Sequence, residues 1–349
     1  MRPIYESTVS SANLCQSQRF RESISSKSPF LAQVKQLFLA DWAEISGDAI
    51  NLFRIIEVMG TAAIAGAVFY SVGAKTTSRS LRESISLAFF SMTLWTFNRM
   101  YPTIISYNTW RQGAIRDAVS GKSSITAAFL ARIFVMILSE GWWPFIYCFV
   151  CFPLAQVAGT VGDVFLMGLL LCLNLMCYVS IGSLLGTCVG SVSWGMIAAD
   201  LFSQASILCA GFYTTLPPFL AAFRYVSPVF YAFAGMMKAS YRWSDTYDCR
   251  GGDSELSANQ CFLEFNGVIE DLKYRGINVA TFGDPKSTVV WPEVTALVIL
   301  YWGGQILVLG FLCIIVRVTS KPETTGEGQR QKPESRIVQY IRSLSVSET

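Results

Sequence analysis

Histidine is absent from the 349-residue sequence, and charged residues make up only 15% of it. Without histidine the chain lacks the commonest general base and the commonest metal ligand, and no Ser–His or Cys–His catalytic arrangement can form. The sequence also contains no Gly-x-x-x-x-Gly-Lys-Ser/Thr loop, which would hold nucleotide phosphates and magnesium. We therefore expect no catalytic residue, no metal site and no cofactor in this chain.

A basic surface of the kind that binds nucleic acid is missing as well. Lys and Arg number 27 against 24 Asp and Glu, which leaves a net charge of +3, and no basic block with interleaved aromatics occurs. Nucleic acid is therefore not an expected partner.

Apolar residues are abundant, since 52% of the chain is hydrophobic, and they are gathered into long blocks. A helix needs about 20 residues to cross the ~30 Å hydrocarbon layer of a bilayer. Six blocks approach or exceed this length: Ile55–Val72, Ser84–Ser106, Ile125–Phe152, Val164–Leu185, Val192–Tyr213 and Val294–Val316. The sequence thus predicts an all-α, multi-pass integral membrane protein with six transmembrane helices.

Two further apolar segments are not clean spans. Between Pro29 and Arg54, apolar residues recur at helical spacing with polar residues between them, which is typical of an amphipathic, interfacial helix on the membrane surface. The run Pro217–Met237 is interrupted by Pro218, Arg224 and Pro228. This pattern favours a re-entrant pair of short helices at the outer interface, before the last transmembrane helix.

The distribution of Lys and Arg indicates the orientation, because cytoplasmic loops carry an excess of these residues. With both termini cytoplasmic, the inner side receives Lys35, Arg54, Arg111, Arg116, Lys122, Arg317, Lys321, Arg330 and Lys332. The short outer loops then receive only Lys75, Arg79 and Arg82. We expect cytoplasmic termini and an extracellular loop over about residues 240–292.

Both ends of the chain are polar. Residues 1–28 are Ser-rich without the apolar core of a signal peptide, and residues 319–349 are rich in Pro, Glu, Gln, Ser and Lys. Neither end has the apolar content of a packed core, so we expect a disordered N-terminal segment and a disordered cytoplasmic tail. The six-helix membrane domain is then predicted at residues 29–318.

Cys249 and Cys261 are the two cysteines of the predicted extracellular loop. The outside of the cell is an oxidising compartment, which favours a disulfide between them. Two free thiols in a flexible loop are the alternative.

Glu140 lies within the third predicted span, where a carboxylate is costly and is normally paired. Arg132 precedes it by about two helical turns and could be its partner, as could Arg54 or Arg99 from another helix. We predict an intramembrane polar lock of Glu140 with Arg132, and the other two arginines are alternative partners. A structural lock is favoured here over a proton or substrate site.

Four segments follow one another in an order typical of one transporter family. They are Gly47–Phe69 around the first span, Trp110–Arg132 (WRQGAIRDAVSGKSSITAAFLAR), Gly211–Ala232 (GFYTTLPPFLAAFRYVSPVFYA), and the loop series Cys261, Gly267, Leu272 and Gly276-Ile277-Asn278. Together they resemble the membrane domain of ATP-binding-cassette transporters of the G subfamily, the White and pleiotropic-drug-resistance type. Gly47 departs from the pattern, because the family has arginine there. The resemblance covers about Phe30–Arg317.

The resemblance implies a membrane half that works in a dimer and is powered from outside. ATP and Mg²⁺ would act through a nucleotide-binding domain or ATPase subunit, which we expect to be missing from this chain. Closure of that nucleotide-binding domain would be transmitted to the membrane helices through the surface helix Phe30–Glu44 and through an inner elbow at Arg111–Lys122. Glu44, Arg116 and Asp117 are the expected coupling residues, with Arg116 and Asp117 at a helix start; a plain interfacial charge pair is the alternative.

The same resemblance places the substrate route between the second and fifth spans. The candidate route residues are Phe89, Phe90, Leu94, Phe97 and Asn98 on one helix and Ser203, Ile207, Leu208 and Phe212 on the other. Large aromatic faces suit apolar or amphipathic cargo through contact area and stacking. Lipid-facing or packing roles are the alternative for each residue.

The expected function is that of the transmembrane half of an ATP-driven exporter of lipophilic or amphipathic small molecules or lipids. Its expected partners are the nucleotide-binding domain, a second membrane half in a homo- or heterodimer, the lipid bilayer and a hydrophobic small-molecule cargo. A truncated or degenerate transporter fragment and an unrelated channel-like membrane protein remain alternatives.

Overall fold

The structure, a computed structural model, describes residues 29–49, 52–72, 78–157, 160–213, 217, 219–220, 222–241 and 290–320. Every regular element in these ranges is helical. The α-helices are α1 (Phe30–Ala49), α2 (Leu52–Val68), α3 (Ser78–Val119), α4 (Ile125–Glu140), α5 (Trp143–Ala155), α6 (Val161–Cys188), α7 (Val192–Leu208), α8 (Pro228–Tyr241) and α9 (Trp291–Ser320). The predicted disorder at both ends, the loop series and the Cys249–Cys261 disulfide lie outside the described residues.

Three helical stretches are long and apolar enough to cross a membrane: Ile125–Ala155, Val161–Cys188 and Trp291–Ser320. They correspond to the third, fourth and sixth predicted spans, so for these three the predicted helical character and sufficient apolar length are confirmed. Helices α2 and α7 have 17 residues each, and α3 carries several charges along its length. Six spans therefore stay a prediction.

Helix α3 is longer than the sequence suggested. It has 42 residues, about 63 Å at 1.5 Å per residue, whereas the bilayer core is about 30 Å thick. It contains the predicted second span, Ser84–Ser106, and most of the predicted inner elbow at Arg111–Lys122, and beyond Ser106 the side chains of Tyr107, Trp110 and Arg111 are buried. It ends before Gly121, whose φ of 71° suits a helix-terminating turn.

The third predicted span is divided into α4 and α5. Pro144 has no N–H to donate to the carbonyl of Glu140, and its ring crowds that carbonyl, so a continuous helix is disfavoured there. The N–H of Gly141 still bonds to the Ile137 carbonyl at 2.9 Å, and Trp142 stacks on Trp143 with their centroids 4.0 Å apart. The break leaves Glu140 as the last residue of α4.

Helices α1 and α2 run alongside α4 and α5 in the same direction. Helix α1 packs on α4 and α2 packs on α5. Near their starts the Ser124 N–H donates to Gln33 Oε1 at 3.3 Å, and at the far end the Ser71 N–H donates to the Leu154 carbonyl at 3.2 Å. Helix α1 buries Leu37 while Leu31 is exposed, and its position on the membrane surface stays a prediction.

Helix α6 is the centre of the bundle, with α3, α5, α8 and α9 packed around it. Its first turn is capped by Asp163, whose carboxylate accepts from the Thr160 hydroxyl at 2.6 Å and from its N–H at 3.1 Å. A Cβ at Gly182 would lie 2.9 Å from the Met100 carbonyl, and one at Gly186 would lie 3.0 Å from that of Ile104. Glycine at these positions therefore permits the close approach of α3.

The segment before the last helix is irregular. A short 3₁₀ helix, Phe223–Val226, precedes α8, which begins at Pro228 and is 14 residues long, about 21 Å. Lys238 of α8 forms an ion pair of 2.6 Å with Glu293 of α9. The re-entrant pair over Pro217–Met237 stays a prediction.

Candidate functional site

Five polar side chains from α2, α3 and α4 meet between these helices and form what we call the polar cluster: Arg54, Glu57, Asn98, Arg99 and Glu140. Arg99 Nε lies 2.5 Å from Glu140 Oε2, and Arg54 Nη2 lies 3.9 Å from the same oxygen. Glu140 is thus held between two guanidinium groups on two other helices.

A second set of contacts in the polar cluster joins α2 to α3. Arg54 Nη1 donates to Glu57 Oε2 at 2.8 Å and to Asn98 Oδ1 at 2.6 Å, and Asn98 Nδ2 donates to Glu57 Oε1 at 3.0 Å. The Arg54 guanidinium also lies over the ring of Trp143, 5.8 Å from its centroid. Two arginines and two glutamates balance in charge, as buried ionic groups require.

The backbone of α3 lacks one regular hydrogen bond at the level of the polar cluster. Pro102 cannot donate to the Asn98 carbonyl one turn earlier, which weakens the helix locally. The Thr103 hydroxyl donates to the Arg99 carbonyl at 2.6 Å and supports the turn.

Arg132 is not the partner of Glu140, so the predicted pairing was wrong. Positions eight apart on a helix are about 12 Å apart along its axis, beyond ion-pair distance. Arg132 donates instead to the Ser106 hydroxyl, and its guanidinium lies 5.8 Å from the ring centroids of both Tyr107 and Trp110. The partners of Glu140 are the two alternatives from other helices, Arg99 and Arg54.

Trp110 also links α3 to α1. Its Nε1–H donates to Asp41 Oδ2 at 3.1 Å, and both side chains are buried. Asp41, Trp110 and Arg132 thus bring α1, α3 and α4 to one point, which we call the α1 joint. Sequence reasoning assigned no role to Asp41 or Trp110, because their contact joins residues 69 positions apart that no local pattern links.

The predicted coupling residues lie at one end of the bundle. Arg116 and Asp117 are in the last turns of α3, so the prediction that they stand at a helix start was wrong. The C-terminal end of a helix dipole is negative, so the positive charge of Arg116 is stabilised there and the negative charge of Asp117 is not. The Asp117 carbonyl accepts from the N–H of Lys122 at 3.0 Å, and Glu44 is exposed on α1.

The structure separates the predicted route residues into three groups. Phe89 is buried and stacks on Phe212 with their centroids 4.1 Å apart. Ser203 and Ile207 are buried on α7, and the Ser203 hydroxyl lies 3.2 Å from the Met100 sulfur. These four residues belong to the packed interior around α3, α7 and the segment that follows α7.

The second group faces outward. Phe90 is 46% exposed and Leu208 is 55% exposed, while Leu94 and Phe97 are partly buried beside the core. Asn98 is the third group, since it turns toward α2 and belongs to the polar cluster.

Sequence reasoning also missed a polar pair beside the outward group. The Tyr101 hydroxyl of α3 donates to Asp200 Oδ1 of α7 at 3.0 Å. Asp200 is exposed and is the one charged residue between Val192 and Tyr213. A charge inside a predicted span is the signal that could have identified it.

Comparison with known proteins identifies the family of the chain. Residues 32–241 match the model of the ABC-2 type transporter family, and this range contains the polar cluster, the α1 joint and the outward residues of α3 and α7. A match of this extent removes the alternative of an unrelated channel-like protein.

Three relatives from Arabidopsis thaliana are similar at low identity. ABC transporter G family member 21 is 22% identical over 60% of this chain and 31% of its own length. Member 14 is 19% identical over 59% of this chain and 31% of its own, and member 26 is 19% identical over 64% and 33%. The chain thus spans about a third of the length of these relatives. It belongs to the ABC-2 type transporter family, as a membrane domain homologous to those of the G-family transporters.

Proposed function

We propose that this chain is the membrane half of an ATP-driven exporter of lipophilic or amphipathic small molecules or lipids. The observation that carries the proposal is an exposed apolar surface on two packed helices inside the family-matched range. We call it the α3–α7 face, and its members are Phe90, Leu94, Phe97, Tyr101 and Ile105 of α3 with Ile197, Leu201 and Leu208 of α7.

The α3–α7 face has the chemistry of a route for flat, apolar molecules. Phe97 stacks on Tyr101 with their centroids 6.2 Å apart and an angle of 10° between the rings. Aromatic and aliphatic side chains bind such cargo through contact area, without demanding fixed hydrogen bonds. Near the Phe90 end of this face, Phe89 of α3 stacks on Phe212, which follows the end of α7.

A second membrane half, identical or different, would complete the route by placing its own α3–α7 face opposite. Paired faces would shield a large apolar surface that a single half leaves uncovered. ATP and Mg²⁺ bound in a nucleotide-binding domain, on a separate subunit or elsewhere in a longer chain, would drive the two halves between inward-open and outward-open states. The termini and the end of α3 that carries Arg116 would be cytoplasmic.

Coupling to the nucleotide-binding domain would begin at Glu44, Arg116 and Asp117. Movement of α1 would reach α3 through the bond between Asp41 and Trp110 and reach α4 through Gln33 and Ser124. The polar cluster would keep α2, α3 and α4 together during that movement, since its ion pairs join all three. The substrate route would then open by movement of the two membrane halves relative to each other, each half moving as a rigid unit.

Transport by reconstituted protein tests the proposal. The chain and a nucleotide-binding partner purified with it from membranes would be placed in liposomes, and ATP-dependent movement of a fluorescent phospholipid would be measured. Phe90→Ala is expected to lower transport several-fold. Phe311→Ala on α9 is the matched control, because Phe311 is similarly exposed but lies outside the α3–α7 face. No ATP-dependent transport of the phospholipid or of apolar dyes, or equal losses in both variants, would contradict the proposal.

A further inference from the structure

Asp200 is an exposed carboxylate in the middle of an otherwise uncharged helix. A carboxylate at membrane depth is costly unless a cation or hydrogen-bond donors satisfy it. In the described part of the chain its partner is the Tyr101 hydroxyl, at 3.0 Å, and no Lys or Arg there forms an ion pair with it. The negative charge of Asp200 is therefore uncompensated within this part of the protein.

The basic residues on the same stretch of α3 and on α2 are engaged elsewhere. Arg99, two positions before Tyr101, lies 2.5 Å from Glu140, and Arg54 contacts Glu57 and Asn98. These contacts belong to the polar cluster, which joins α3 to α2 and α4, whereas Asp200 is on α7.

The surroundings of Asp200 are aromatic. Tyr101, which bonds to it, also stacks on Phe97, and both rings belong to the α3–α7 face. A carboxylate beside aromatic ring faces is the combination that binds organic cations, because the charge and the ring quadrupoles attract an ammonium group together. The apolar members Leu201 and Ile197 lie one turn or less from Asp200 on the exposed side of α7 and would contact an attached hydrocarbon part.

We propose that Asp200, Tyr101 and Phe97 form a binding site for the cationic head of an amphipathic cargo, such as a protonated or quaternary amine. The carboxylate pairs with the ammonium group, the two rings cover its flanks, and the α3–α7 face receives the apolar body. The site rests on the proposed function, since it assumes that this face is the substrate route. It selects against anionic cargo, which the carboxylate repels.

Binding of two matched fluorescent probes tests the site. One probe is a dansyl-alkyl trimethylammonium ion, and the other is a dansyl-alkyl alcohol of the same chain length without charge. Dissociation constants are measured on the full chain in nanodiscs. The wild type should bind the cation more tightly, and Asp200→Asn should weaken cation binding by about tenfold, as expected for the loss of a charge-assisted contact. Binding of the neutral probe should change less than about twofold.

Two further variants separate charge from folding. Asp200→Glu keeps the charge and should retain the preference for the cation. Tyr101→Phe keeps the ring but loses the hydroxyl, and a small effect on both probes is expected. Thermal unfolding of Asp200→Asn in the same nanodiscs checks that the variant is folded.

Three other results would each overturn the proposal, and each points to a different explanation. Equal binding of both probes by wild type, unchanged in Asp200→Asn, would remove the cation site and leave the apolar route intact. Loss of the dimer in Asp200→Asn, seen by light scattering together with weaker binding of both probes, would assign Asp200 to an ion pair between subunits. Binding of neither probe to the wild type would remove both the site and the proposed route.

Discussion

Arg99 Nε of α3 lies 2.5 Å from the Glu140 carboxylate of α4. This contact is the shortest in the polar cluster, and it joins two helices near Pro102 inside α3 and near the end of α4 before Pro144. A helix is weakest where its hydrogen-bond ladder is broken. The ion pair stabilises the bundle at that level.

Replacement of Glu140 tests this role. Glu140→Gln should destabilise the protein by about 3 kcal/mol, because Arg99 would lose its buried counter-charge while Arg54 keeps Glu57. Unfolding in detergent by guanidinium, followed by tryptophan fluorescence, measures the change. Glu57→Gln is the control: this carboxylate is 47% exposed, so we expect a loss of about 1 kcal/mol or less. Equal losses would show that Glu140 has no special role.

Loss of the contact between Trp110 and Asp41 in the α1 joint should weaken the coupling of α1 to α3. Trp110→Phe removes the donor to Asp41 but keeps an aromatic ring for Arg132. We expect unchanged binding of cargo and lower ATP-dependent transport, since α1 would move with less effect on α3. Binding and transport are measured on the same reconstituted sample. Trp42→Phe, at a stacked but partly exposed position on α1, should leave transport unchanged.

A larger residue at position 182 should disturb the packing of α6 on α3. A Cβ there would lie 2.9 Å from the Met100 carbonyl, and backbone atoms cannot move aside as a flexible side chain can. Gly182→Ala should lower stability by about 1–3 kcal/mol, measured as a lower midpoint of thermal unfolding. Gly303→Ala on α9 is the matched control, because no atom lies within 4 Å of its Cβ position. A fall of the midpoint for Gly303→Ala alone would contradict the close packing of α6 on α3.

The contact between Lys238 and Glu293 predicts rescue by charge exchange. Both side chains are 12% exposed, and their charged atoms lie 2.6 Å apart. Lys238→Glu places two carboxylates together and should destabilise the junction of α8 and α9 strongly. Adding Glu293→Lys should restore much of the stability, which a double-mutant cycle of unfolding midpoints would quantify. Purely additive losses would mean that the pair contributes no coupling energy.

Several features of the fold could be predicted because they depend on local composition. The third, fourth and sixth spans are long and largely apolar runs, and a bilayer accepts few structures other than helices from such runs. Glu140 could be recognised as a paired residue, since a carboxylate in an apolar run is costly wherever the chain folds. The exposed charge of Asp200 carried the same signal.

Other features could not be predicted, because they depend on which helix faces which. The spacing of Arg132 suggested a partner for Glu140 on the same helix, yet Arg132 lies against Tyr107 and Trp110. Helix α3 continues to Val119, which places Arg116 and Asp117 near its end, and there Trp110 contacts Asp41 and Arg111 donates to the Thr187 carbonyl, both on other helices.

The amino-acid sequence by itself determined that the chain is a helical membrane protein without catalytic histidines, because hydropathy and residue type act without regard to neighbours. Only the tertiary structure decided the partners of its charges and the division of its aromatic residues between packing and an exposed face. Ion pairs and ring contacts form between residues far apart in the chain, and their choice depends on helix packing that no local pattern encodes.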